Sequence, residues 1–148
     1  MEQLSYIDEH SISVRATRER VWLALASVLR RDFGGAPARL SSVWRLEPSK
    51  VSGDWRETLR PGDHAIPGFA VVEADFPQRL TLRGGHRFSR YELMFELDSA
   101  GEEACVLRAR SSAEFPGPAG RAYRAAVIGS GAHRLLVPRL LRRIARRA

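Results

Sequence analysis

The sequence predicts an α+β domain in which helices lie against an antiparallel β-sheet. Three observations predict it. Between about Arg39 and Glu114 the chain alternates apolar and polar side chains, the pattern of strands with one dry and one wet face. A helical repeat follows the first strand-like stretch. From Gly120 to the end, the apolar residues recur at helical spacing. The 148 residues amount to one domain, 1–148, long enough for a hydrophobic core without covalent staples.

Each element has its own signal. "YIDEHSISVRA" reads as the first strand, with Tyr6, Asp8, His10, Ile12 and Val14 on one face. Thr17 is placed to cap the helix in "ATRERVWLALASVLRR", where Val21, Leu25, Val28 and Leu29 form the apolar side. "DFGGAPA" ends that helix, and a short helical turn is expected near Pro37. "SVWRLEP", "DWRETLR" and "GFAVVEAD" are strands separated by Gly, Pro and Asp. "RPGDHAIPG" is the longest irregular stretch and is expected to be a loop at the mouth of any cavity, with His64 within it.

The next three strands show their faces most clearly. "QRLTLRG" puts Leu80 and Leu82 together. "SRYELMFELD" puts Tyr91, Leu93, Phe95 and Leu97 opposite Glu92, Met94 and Glu96. "EACVLRARSSAEF" puts Cys105, Leu107, Ala109 and Ser111 opposite Arg108 and Arg110. "DSAGEE" is the hairpin turn between the last two. On the final helix, Ala119, Ala122, Ala126, Ser130, His133, Val137, Leu140 and Ile144 form one stripe, small in its first half and large in its second. Gly129, Gly131 and Pro138 interrupt it, and a mid-helix glycine costs about 1 kcal/mol relative to alanine. Small residues there imply either close approach to the sheet or an open pocket.

Composition narrows the function. Hydrophobic residues are 44% and charged residues 28%, as in soluble globular domains. The N-terminus is polar and acidic, no apolar run has membrane-spanning length, and a cytoplasmic location is expected. Cys105 is the only cysteine and the four histidines lack zinc-ligand spacing, so no metal or cofactor is expected. "GSGAH" is not a nucleophile elbow, and phosphate- and dinucleotide-binding loops are absent. The net charge of +7 rests almost wholly on arginine, Lys50 being the only lysine. The terminal cluster "RLLRRIARR" lacks interleaved aromatics, so nucleic acid is not the expected partner. A solvated helix face is the simpler reading than contact with an anionic membrane surface.

The order of elements resembles the helix-grip fold of the START-like superfamily, which includes polyketide cyclases and Bet v 1-type proteins. The resemblance covers nearly the whole chain. "ISVRATRERVWLAL", "IPGFAVVEADFPQRLTLRG" and "HRFSRYELMFELD" carry it, and "SSAEFPGPAGRAYRAAVIGSGAHRLLVPRLL" is similar to the end of a bacterial subgroup without an assigned activity. It implies a curved antiparallel sheet wrapped around the long C-terminal helix, with a cavity between them for a small apolar or amphipathic molecule. A carrier, sensor or sequestering role follows, and a cyclase- or dehydratase-type enzyme is the alternative. The residues expected to line the cavity are His10, Trp44, Phe69, Tyr91, Phe95, Tyr123, Ala126, Ser130 and His133. In the enzyme reading His133 is the acid–base group and Tyr91 orients the substrate. The simpler role for His133 is a core histidine bonded to a tyrosine or backbone carbonyl.

The arginine cluster makes a first prediction. Replacing Arg142, Arg143, Arg146 and Arg147 with glutamine should leave thermal stability nearly unchanged, because exposed charges contribute little. Any binding of anionic vesicles by the parent chain should be weak and lost at high salt in a sedimentation assay.

Overall fold

The computed structural model describes residues 5–33, 70–86, 89–127 and 132–148. They form β1 (Ser5–Val14), α1 (Arg18–Phe33), β2 (Ala70–Asp75), β3 (Arg79–His86), β4 (Ser89–Ser99), β5 (Cys105–Glu114), α2 (Gly117–Val127) and α3 (Ala132–Arg147). The strands expected in "SVWRLEP" and "DWRETLR", the "RPGDHAIPG" loop and the turn near Pro37 lie outside the described residues. No helix of the described residues is long and apolar enough to cross a membrane.

The strands make one antiparallel sheet in the order β1-β5-β4-β3-β2. The first strand therefore pairs with the last. Gly101, at φ 141°, turns the β4–β5 hairpin, and the Ala100 amide closes it by donating to the Ala104 carbonyl at 2.9 Å. Thr17 caps α1 as its sequence position predicts. Its Oγ1 accepts from the Arg20 amide at 3.3 Å, while its carbonyl accepts from the Val21 amide at 3.0 Å.

The alternation in β3, β4 and β5 is realised in three dimensions. The inner face of the sheet carries Leu80, Leu82, Phe95, Leu97, Cys105, Leu107 and Ala109, all buried. The outer face carries ion pairs that cross between strands: Arg83 to Glu92, Arg79 to Glu96 and Glu73, Arg108 to Asp98, and Arg110 to Glu9. Among the described residues, helices cover the inner face. α1 buries Val21, Trp22, Leu25 and Leu29, and α3 buries Val137, Leu140, Leu141 and Ile144. α3 lies against α1 and β1 and touches β5, and α1 also reaches β4. The α3 helix continues through Pro138, which has no N–H and leaves one backbone hydrogen bond unmade.

Two expectations need correction. Tyr6 does not share the inner face of β1; it is 62% exposed. A bulge between Tyr6 and Asp8 inserts Ile7 without a partner and reverses the parity beyond it. Ala119 and Ala122 do not face inward either; both are exposed. The stripe holds at Val137, Leu140 and Ile144, which are buried, and is not buried at Ala119 and Ala122 in α2. The start of α2 is fixed differently, by a close approach. Gly117 adopts φ 72°, and a Cβ on Gly120 would stand 2.6 Å from the Phe115 carbonyl carbon. The chain leaves β5 and enters α2 through a turn with no room for a side chain at that point.

The packing predicts where stability resides. Ile144→Ala should cost about 2–5 kcal/mol in urea unfolding, the range for truncating a buried aliphatic side chain. Ala122→Ser, on the exposed face of α2, should stay within about 0.5 kcal/mol of the parent.

Candidate functional site

The inner face of the sheet changes character along β5. Cys105 stands beside Val14 and Ser99, Leu107 beside Ile12 and Leu97, and Ala109 beside His10 and Phe95. In these rows the side chains on β4 and β5 other than Ser99 are sealed from water. The next row sets Ser111 beside Asp8 and Leu93, and the last sets Ala113 beside Tyr91. Here Asp8, Leu93, Tyr91 and Ala113 are only half-buried. One end of the inner face is thus packed core, and the other, termed the cup, is less fully covered, with Ser111 and Leu82 buried among half-buried polar and apolar side chains.

Hydrogen bonding in the cup centres on β1. Asp8 and His10 are two residues apart on one strand, so they share a face. His10 Nε2 lies 3.2 Å from Asp8 Oδ2. Across the ladder from Asp8, the Ser111 hydroxyl is buried and makes no hydrogen bond. Beyond Ala113 the chain borders a cleft of about 300 Å³ lined by Ile7, Ala113, Phe115 and Pro116 together with the charged Glu114, Arg121 and Arg124. The Arg124 guanidinium sits 6.0 Å from the centre of the Phe115 ring. Ala113 belongs to both the cleft and the last row of the cup.

The expected site residues separate into three groups. His10 and Tyr91 lie on the inner face, half-buried, at the cup. Phe95 is fully buried in the row between core and cup. Tyr123 and Ala126 fall within α2, and His133 within the first turn of α3. Trp44, Phe69 and Ser130 lie outside the described residues. Asp8 and Ser111 were not among the expected site residues. Their signals are a carboxylate two residues before a histidine on a strand, and a hydroxyl in the run of inner positions Cys105, Leu107 and Ala109.

Other polar groups stand apart from this cluster. Trp22 Nε1 is buried without a partner, and its ring meets Phe76 edge-on at 5.5 Å. Among the described residues, no group of three or more His, Cys, Asp or Glu side chains is arranged to hold a metal ion. Cys105 is a free thiol at the sealed end. Burial pushes its pKa up; Arg18 opposes the shift, while Asp98 and Glu19 add to it.

No protein-family model matches the chain, and no curated protein matches it. Solved structures do. A conserved protein from Geobacillus kaustophilus superposes with a TM-score of 0.58 at 21% identity, over 93% of this chain and 91% of that one. Truncated norcoclaurine synthase from Thalictrum flavum gives 0.55 at 11% identity, over 98% and 96%. A START superfamily protein from Mycobacterium smegmatis gives 0.51 at 15% identity, over 97% and 100%. Identities this low carry the architecture and nothing finer: the chain has the START-like, helix-grip fold.

The buried thiol predicts a pH dependence. Its folded pKa is raised, so its contribution to stability is complete below the ordinary thiol value of about 8.5. As pH rises past that value the unfolded state ionises first, and the contribution is lost through the folded value. In urea unfolding between about pH 7.5 and 10, the parent should lose stability relative to Cys105→Val. The native thiol should also resist iodoacetamide at pH 8 and react once unfolded.

Proposed function

We propose that this chain binds a small apolar or amphipathic molecule in the cup between the sheet and its C-terminal helical segments, as a carrier, sensor or sequestering protein. The observation that carries the reading is the change along the inner face. Leu80, Phe95, Leu107 and Ala109 are sealed, whereas Leu93 and Tyr91, farther along the same face, are half-open. Apolar side chains left partly uncovered on a concave, one-sided sheet are surface that a ligand can bury. The fold supports this reading, because its neighbours include a START superfamily protein and a synthase. His10, Tyr91 and Leu93 would contact the molecule from the sheet. Tyr123, Ala126, Ser130 and His133 would do so from the C-terminal segments, and Trp44 and Phe69 would complete the wall.

Native mass spectrometry of the purified protein should find a co-purified small molecule of this class. If that molecule is chemically changed on incubation, the reading moves to an enzyme of cyclase or dehydratase type, with His133 and Tyr91 as its working groups. A mutation tests the cup directly. Leu93→Trp should fill it, abolish binding of the fluorescent probe 1-anilinonaphthalene-8-sulfonate, and leave the melting temperature within a few degrees of the parent. If the space is already packed, the same change should overpack it and cost about 1–3 kcal/mol.

A further inference from the structure

We infer that Ser111 and the Asp8–His10 pair form a hydrogen-bonding subsite for a neutral hydroxyl group, an alcohol or phenol, on the bound molecule. The inference rests on the cup being a ligand site, and goes beyond it by naming the group recognised. Ser111 is only 6% exposed and its Oγ has no partner. A buried hydroxyl left unpaired is unfavourable, and most such groups in folded proteins are satisfied. Alanine would fill the same position without that cost, as Ala109 and Ala113 do on the same strand face.

The neighbouring pair defines what could satisfy it. The Asp8 oxygen facing His10 accepts, with the His10 ring donating to it through Nε2. In the neutral ring Nδ1 is then an acceptor, and His10 makes no other hydrogen bond. The pairing register sets His10 opposite Ala109 and Asp8 opposite Ser111, so His10 and Ser111 are diagonal neighbours. Diagonal positions on an antiparallel pair lie about 7–8 Å apart, close enough for one bound group to reach both side chains. The subsite therefore offers an acceptor at His10 and a donor at Ser111. A hydroxyl complements both, donating to Nδ1 and accepting from Oγ–H. A carboxylate has no proton to give His10. Ser111 makes no hydrogen bond to His10, so the set is a recognition site and not an activated serine.

The test compares 2-naphthol with naphthalene, which differ by one hydroxyl, by fluorescence titration and by the ligand-induced shift in melting temperature. The parent should bind 2-naphthol about tenfold more tightly than naphthalene, the weight of one well-made hydrogen bond. Ser111→Ala should melt no lower than the parent, retain naphthalene binding and reduce the preference to within about threefold. Asp8→Asn, which keeps the shape but no longer requires a donor at Nε2, should also reduce the preference. Equal affinity of the parent for both compounds, or an unchanged preference in Ser111→Ala, overturns the hydroxyl subsite and leaves the cup standing. If neither compound binds, the cup reading falls and the subsite falls with it.

Discussion

The buried edge of α3, formed by Val137, Leu140, Leu141 and Ile144, meets α1 and β1 over the inner face of the sheet. Burying an aliphatic side chain of this size contributes about 1.5–3 kcal/mol, so this edge is a large share of what a small domain can gain. It determines more than stability. An antiparallel sheet with one apolar face must have that face covered, and α3 with α1 seals its Cys105–Ala109 stretch. Farther along, the inner face passes to the half-buried Asp8, Leu93, Tyr91 and Ala113. Covering thus weakens toward that end, although Leu82 and Ser111 beside Leu93 stay buried.

The opposite face, among the described residues, is charged rather than apolar. Arginine and glutamate side chains meet across β2, β3 and β4, and Glu9 answers Arg110 across β1 and β5. Each pair is solvent-accessible and contributes less than about 1 kcal/mol. Their larger effect is on register. A slip of one residue between β4 and β5 would turn Arg108 and Arg110 toward the core and expose Leu107 and Ala109. Opposite charges outside and apolar rows inside select the same pairing. At Tyr6, where the pattern conflicts with the ladder, a bulge absorbs the difference.

Much of this was legible in the sequence. Thr17 before a helical repeat, the two-faced strands at Leu80–Leu82, Tyr91–Leu97 and Cys105–Ser111, and the large apolar residues of α3 are local patterns with local causes. What escaped depends on relations between distant parts. Parity alone could not reveal the bulge at Ile7, because it arises in the pairing of β1 with β5. Gly120 reads as the first residue of a helix, yet its constraint is the Phe115 backbone beside it. His10 and Tyr91 were legible as inward-facing because they obey strand alternation. Spacing puts Asp8 and Ser111 on the inner face, but they were not singled out, since the hydrogen bond of one and the missing partner of the other arise only in the folded sheet. For Trp44, Phe69 and Ser130 the sequence remains the only guide.

The cross-strand pairing of the outer face also shapes the charge distribution of the described residues. Even where arginine answers acid, the strands carry more acidic residues than arginines and the sheet is net negative. Helix α3 has no acidic residue, and Arg139, Arg142, Arg143, Arg146 and Arg147 are exposed along it. Positive charge is therefore concentrated on this helix, displaced from the net negative sheet. A body charged in this way does not tumble past an oppositely charged surface indifferently. It experiences a torque that turns the helix inward over roughly a Debye length, about 8 Å at physiological ionic strength. The net negative sheet acts as the other arm of the lever, and the orientation of the molecule at such a surface is set before any short-range contact forms.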